Sequence, residues 1–114
     1  MIYKYNFRFN AKHNTSPTLN PKSSHIHTFE ITCYVEQNSY SYDFVEIQIK
    51  NYLLTFKGQY LNELFTNLPT IENIAEKFYF EINQLAQDFK LLRLELSDKP
   101  IQTYIIGEEL EWVV

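Results

Sequence analysis

Three histidines are the residues of this chain whose types and spacing could do chemistry. Two stand one residue apart, at His25 and His27, and the third is His13. Alternate side chains of a β-strand point to the same face, so a strand here would turn both imidazoles one way. Three neutral imidazoles can hold zinc and leave a fourth tetrahedral position open, as in a catalytic site. His13, His25 and His27 therefore form a candidate metal site; the alternative is a set of solvated histidines at loop ends.

Glu95 is the second candidate, because it lies within an otherwise apolar run. Burying an unpaired carboxylate is costly, so its side chain must face water or a partner. A carboxylate facing a pocket could accept two hydrogen bonds from the amide-and-amine edge of a guanine-like ring. An exposed cross-strand ion pair explains the same residue without a ligand. The only cysteine, Cys33, falls on the apolar face of its strand and is interpreted as a core residue.

The elements that must position these residues begin with two strands. Residues 2 to 10 alternate aromatic and polar side chains, which predicts a half-buried strand, and the same parity carries His13 to the aromatic face. A polar loop with two prolines follows, and alternation resumes from His25 to Val35. The pattern predicts two antiparallel strands with histidines at both ends of the loop between them.

Two helices and a second hairpin complete the chain. Asp43, with Glu46 three residues later, predicts a capping box that opens a helix, and Lys57-Gly58 is suited to ending it. A second helix is predicted from near Thr70, with apolar residues at helical spacing. The final third predicts strands at Phe89 to Leu96 and Ile101 to Ile106, with a turn at 97–100. The order β-β-α-α-β-β predicts an α+β fold, a four-stranded antiparallel sheet with two helices on one face.

Composition narrows the class of protein. The 114 residues fit one domain, 1–114, and a net charge of −4 without a basic block argues against a nucleic-acid surface. One cysteine excludes an internal disulfide and fits a reducing compartment. The sequence shows no signal-peptide pattern and no apolar run near the ~20 residues of a membrane span. We expect a soluble, cytoplasmic protein that contacts neither membrane nor nucleic acid.

Several segments, taken together and in order, resemble the 6-pyruvoyl-tetrahydropterin synthase and 6-carboxytetrahydropterin synthase family. They are His13 after an aromatic strand, His25-Ile26-His27, Asp43-Phe44, Tyr60-Leu61-Asn62, Pro69-Thr70-Ile71-Glu72-Asn73 and Glu95. The resemblance implies the tunnelling fold, in which subunits join their sheets into a barrel closed by oligomerisation. It also implies a homo-oligomer, a trimer or hexamer, with pterin pockets between subunits. Closure would remove the exposed edges of a lone sheet.

The resemblance further implies roles for individual residues. His13, His25 and His27 would be the ligands of a Zn²⁺ cofactor, and Glu95 would anchor a pterin-like small molecule. Thr70 would lie near the ring of that ligand.

Departures from the family pattern concern proton transfer. The family's cysteine, four residues before the first histidine of its His-Gly-His, corresponds here to Pro21, and its Asp-His pair corresponds to Lys57-Gly58. The glycine between the zinc histidines is Ile26. No catalytic residue is assigned, because all three proton-transfer groups of the family are replaced.

The expected function is zinc binding with recognition of a pterin or purine-like molecule, and family lyase activity that is weak, altered or absent. One alternative is an active pterin-converting lyase whose relay is rebuilt from other side chains, the candidates being Lys12, Lys57, Ser23 and Ser24. The other is a non-catalytic structural or regulatory oligomer.

Overall fold

The structure, a computed structural model, describes residues 1–15, 25–38, 41–87, 89–99 and 102–110. The strands are β1 (Ile2–His13), β2 (His25–Gln37), β3 (Phe89–Lys99) and β4 (Gln102–Gly107). The helices are α1 (Tyr42–Leu54) and α2 (Ile71–Ile82), with one short 3₁₀ turn, Leu61–Glu63, between them. The predicted β-β-α-α-β-β order is confirmed.

The four strands form one antiparallel sheet in the order β1-β2-β3-β4. Aromatic residues of β1 and apolar residues of β2 share the face that the helices cover, so Tyr5 lies opposite Cys33 and Phe9 opposite Phe29. The same register places His13 opposite His25, at one end of the sheet. The alternation of the first two strands is therefore confirmed, and it brings the histidine positions to the same end of the sheet.

Helix α1 begins earlier than the sequence predicts. Ser41, not Asp43, is the N-cap, and its hydroxyl accepts a hydrogen bond from the backbone N–H of Phe44. Asp43 lies instead in the first turn, where its negative charge interacts favourably with the positive end of the helix dipole. The helix ends at Leu54, and Gly58 follows in the left-handed conformation, with φ +73°. The capping-box assignment was wrong because a serine two residues earlier supplies the capping oxygen.

Helix α2 agrees with the prediction at its start and along its buried face. Thr70 is the N-cap, and its hydroxyl accepts a hydrogen bond from the backbone N–H of Asn73. Four apolar residues at helical spacing are buried against the sheet, namely Ile74, Ala75, Phe78 and Ile82. Thr70 thus fixes where the loop ends and the helix begins.

Strand β3 continues beyond the predicted turn. Leu96 pairs with Tyr104 and Lys99 with Gln102, so β3 uses three residues where β4 uses two. An extra residue of this kind is a β-bulge, which bends the strand and changes the direction of a side chain. Ser97 and Asp98 therefore belong to β3 rather than to a turn, which corrects the expected boundary.

No helix within the described ranges is long and apolar enough to cross a membrane.

Candidate metal centre

His13 ends β1 in a buried position, with 7% of its surface exposed. Its Nδ1 lies 2.8 Å from the carbonyl oxygen of Pro69, the residue before the cap of α2. A carbonyl oxygen can only accept, so Nδ1 carries a proton; in a neutral imidazole with that proton, the lone pair able to bind a metal is on Nε2. Histidine ligands of metals commonly make such a hydrogen bond through the nitrogen that does not bind the metal.

His27 lies beside His13, two positions into β2. The two rings meet edge to face with centroids 4.5 Å apart. Asp98 of β3 approaches both: its Oδ2 lies 3.4 Å from Nε2 of His13 and 3.9 Å from Nδ1 of His27. One potential ligand atom from each of the three residues lies within 4.8 Å of the others. His25 begins β2, but its side chain lies outside the described part of the chain.

Asp98 is the site residue that the sequence interpretation omits. The sequence prediction places Asp98 in a turn at 97–100, whereas β3 continues through Asp98 to Lys99. Leu94, Leu96 and Asp98 stand two apart, and the two leucines face the core, as His13 does. This period of two is the signal in the sequence that could have placed Asp98 with the histidines.

Residues 58–62, here called the clasp, hold the end of β1 on which His13 stands. Backbone hydrogen bonds join Gly58 N–H to the Asn10 carbonyl at 2.7 Å and Lys12 N–H to the Gln59 carbonyl at 2.9 Å. The Asn62 amide then bonds both backbone groups of Asn14, accepting from its N–H at 2.9 Å and donating to its carbonyl at 2.8 Å. Asn62, part of Tyr60-Leu61-Asn62, therefore has a structural task.

The segment from Pro69 to Asn73 braces the other side of His13. Asn73 donates through its side-chain Nδ2 to the Leu68 carbonyl at 2.8 Å, while its backbone N–H is capped by Thr70. These bonds fix the loop that presents the Pro69 carbonyl to His13. Thr70 follows Pro69 directly, and its hydroxyl serves as the helix cap; its predicted place near the ring of a pterin stays a prediction.

Glu95 lies on the opposite face of the sheet from the histidines. It pairs with Thr32, whereas the neighbouring pair Ile31 and Leu96 is buried under the helices. Its Oε2 accepts from Nε of Arg93 at 3.0 Å, and both side chains are mostly buried. Desolvation raises the pKa of the Tyr34 phenol, and the negative charge of Glu95 raises it further. Within one chain, Glu95 and the metal-ligating candidates are not brought together.

The residues that the resemblance sets against the family's proton relay fall in two places. Pro21, Ser23 and Ser24 lie outside the described residues. Lys57 and Gly58 are exposed in the turn after α1, and a Cβ built on Gly58 would meet nothing within 4 Å. Both lysines considered as replacement proton donors lie within the described residues. Lys12 is exposed and precedes His13 in sequence, and Lys57 precedes the clasp.

The donor set fits a divalent transition metal. Imidazole nitrogens and carboxylate oxygens are the ligands that zinc accepts, at about 2.0–2.2 Å. His13 offers Nε2 toward the cluster because its other nitrogen is engaged by Pro69. Within the ranges described, His13, His27 and Asp98 are the cluster in which three such groups converge.

The fold and the site define an α+β protein that gathers two histidines and an aspartate at one end of an antiparallel sheet. The family profile described as 6-pyruvoyl tetrahydropterin synthase matches residues 2–109. The chain therefore belongs to the 6-pyruvoyl tetrahydropterin synthase family, and the resemblance noted in the sequence is confirmed.

Solved structures support the same fold. The 6-pyruvoyl tetrahydropterin synthase of Caenorhabditis elegans is similar with a TM-score of 0.77 at 15% identity, covering 96% of each chain. An uncharacterized protein from Wolinella succinogenes is similar with a TM-score of 0.60 at 12% identity, covering 96% of this chain and 99% of the other. No curated protein matches the sequence. At such identities the structural likeness establishes the fold, while the profile establishes the family.

Proposed function

We propose that this protein binds zinc through His13, His25 and His27 and recognises a pterin or purine-like small molecule, with family lyase activity that is weak, altered or absent. The observation that carries the metal assignment is the convergence of His13 and His27 at a braced end of the sheet. Membership of the family supports the ligand class. A cytoplasmic homo-oligomer, trimer or hexamer, is part of the same proposal.

The chain's own residues prepare the site for a metal. Pro69 holds the His13 ring by Nδ1, and the clasp fixes the strand end that carries it. A zinc ion held there would supply a Lewis acid able to polarise oxygen atoms. Ordering these side chains before the metal arrives lowers the entropic cost of binding it.

The lyase proposal follows from the groups that replace the relay. A positioned acid or base contributes typically 10²–10⁴-fold to a rate. At the positions of the family's Cys, Asp and His this chain has Pro21, Lys57 and Gly58. A proline and a glycine have no side-chain group that can exchange a proton, so the family reaction loses most of its acceleration.

Glu95 and Thr70 are proposed to contact the small molecule. The sheet separates Glu95 from the histidines of its own chain. A ligand near the metal would therefore meet Glu95 of a neighbouring copy, which agrees with pockets shared between subunits. Thr70 stands on the same side as the metal centre, one residue after Pro69.

Metal content and thermal stability test the metal assignment. Protein purified without chelator should contain stoichiometric zinc, and His27→Ala should lose it, while Glu36→Ala, an exposed change on the same strand, should keep it. With free zinc at about 100 times Kd, binding adds about 2.7 kcal/mol to the folded state. For a domain of this size that is a rise in Tm of roughly 10 °C. Absence of zinc together with an unchanged Tm would refute the assignment.

Titration with a pterin tests the anchor. Glu95→Gln removes the carboxylate that would accept two hydrogen bonds, so we expect binding to be abolished. Glu30→Gln changes a carboxylate on the same sheet face and should leave binding intact. Equal affinity of wild type and Glu95→Gln would remove the anchor role. Conversion of dihydroneopterin triphosphate to any product would favour the rebuilt-relay alternative, while no response to zinc or pterin would favour the structural oligomer.

A further inference from the structure

Among the described residues, Asp98 has a placement that the proposed function does not explain. Its side chain is only 11% exposed, and its carboxylate lies close to two imidazole rings rather than in water. A buried carboxylate is costly unless a charge or hydrogen bonds compensate it. A register shift between Leu96 and Lys99 interrupts the ladder between β3 and β4 next to Asp98. Such interruptions are frequent beside functional sites.

One separation within the cluster equals that of two ligands around one ion, and a second is slightly longer. Two ligand atoms about 2.0–2.2 Å from a tetrahedral metal lie roughly 3.3–3.6 Å from each other. Oδ2 of Asp98 lies 3.4 Å from Nε2 of His13, within this range, and 3.9 Å from Nδ1 of His27, a few tenths of an ångström beyond it. Charge-assisted hydrogen bonds between such groups are shorter, about 2.7–2.9 Å. The spacing therefore suits a shared cation better than direct ion pairs.

We propose that Asp98 is itself a metal ligand and fills the coordination position that three histidines would leave open. This inference rests on the proposed zinc site and adds a fourth protein ligand to it. Four protein ligands make a closed site of the structural kind, whereas three leave room for an external molecule. The metal then ties β1, β2 and β3 together at one end of the sheet. A small molecule reaches the ion only by displacing Asp98.

Cobalt substitution distinguishes a closed site from an open one. Co²⁺ in the zinc position absorbs visible light, and the bands change when an external anion enters the coordination sphere. For the wild-type protein we expect no spectral change with azide. Asp98→Ala should show altered bands that respond to azide, and added acetate should restore the wild-type spectrum by replacing the missing carboxylate. Asp43→Ala, a matched loss of an aspartate far along the chain, should behave as wild type.

Zinc affinity provides the second measurement. Changing a residue that only orients a ligand typically costs 10–100-fold in metal affinity. Loss of a ligand from the metal should cost more than about 100-fold for Asp98→Ala. Asp98→Asn keeps the shape and one weaker oxygen ligand, and it serves if the alanine variant does not fold.

The outcomes separate this inference from the proposed function. A wild-type cobalt spectrum that responds to azide, or an affinity loss below about 100-fold with unchanged bands, would overturn the role of Asp98 as a ligand and leave the histidine site standing. Failure of the wild-type protein to bind zinc or cobalt would overturn both. An azide-insensitive wild type with an azide-sensitive Asp98→Ala or Asp98→Asn supports the closed site.

Discussion

Replacing Asn62 by alanine should weaken both the fold and the metal centre. The Asn62 side chain is partly buried and makes two hydrogen bonds to the backbone of Asn14, the residue that follows His13. Alanine removes both bonds and leaves the clasp joined to β1 only through its backbone. The end of β1 then gains freedom next to a proposed zinc ligand.

The size of the effect follows from these two bonds. A typical intramolecular hydrogen bond contributes about 1 kcal/mol net, so Asn62→Ala should lose about 2 kcal/mol of unfolding free energy. For a domain near 100 residues, that loss lowers Tm by roughly 8 °C. Zinc affinity should fall as well, because the His13 ring must be ordered again at the moment of binding.

Denaturant unfolding followed by far-UV circular dichroism measures the loss of stability, and competition with a chelating dye measures the zinc affinity. Asn67→Ala is the matched control, since Asn67 is exposed on the same connection between the helices and should change stability by less than about 0.5 kcal/mol. Equal stabilities of the two variants would show that the two Asn62 hydrogen bonds do not stabilise the fold. A destabilised Asn62→Ala with wild-type zinc affinity would show that the clasp does not position His13.

Two further predictions concern the backbone and pH. Gly107→Ala should destabilise the protein more than Gly58→Ala, as measured by denaturant unfolding. Both glycines have positive φ, and a residue with a side chain in the left-handed conformation costs about 1–2 kcal/mol. Only at Gly107 would the added Cβ also overlap the Leu92 carbonyl oxygen. Equal losses would contradict this reasoning. Burial raises the pKa of Tyr5 from 10.0 to about 12, with its hydrogen bond to Gln37 acting in the opposite direction. Because the folded-state pKa is the higher one, the contribution of Tyr5 to stability is constant below pH 10 and falls as pH rises toward 12. Tyr5→Phe should flatten this decline in a series of unfolding experiments, and an unchanged slope would assign the decline to other groups.

Element order and the buried faces could be predicted from the sequence because both depend on local periodicity. The alternation in β1 continues along the strand, and the helical spacing in α2 continues over about three turns. The structure agrees with both. Boundaries depended on single interactions instead. Ser41 competes with Asp43 for the cap of α1, and nothing in the periodicity decides between two capping residues two positions apart.

The candidate site, too, could be predicted from the sequence only in part. Strand parity brought His13 and His27 to one face, and the register of β1 with β2 agrees. Asp98 continues the period of two set by Leu94 and Leu96, but the turn predicted at 97–100 ended β3 at Leu96, so the sequence interpretation omitted it. Glu95 is on the face that parity assigns it, opposite to that of Leu94 and Leu96, and is mostly buried with Arg93. This ion pair lies within one strand and is largely buried, so it differs from the exposed cross-strand pair considered from the sequence.

The strand order has a consequence for how the chain reaches its native state. The pairs β1 with β2 and β3 with β4 join neighbours in sequence, whereas β2 meets β3 only after both helices have intervened. Closing that long connection costs chain entropy before its contacts are gained, and such non-local pairing slows folding. We expect two hairpins to form early and their union to limit the rate. The candidate metal site draws residues from both hairpins, so we expect its side chains to come together at that last step.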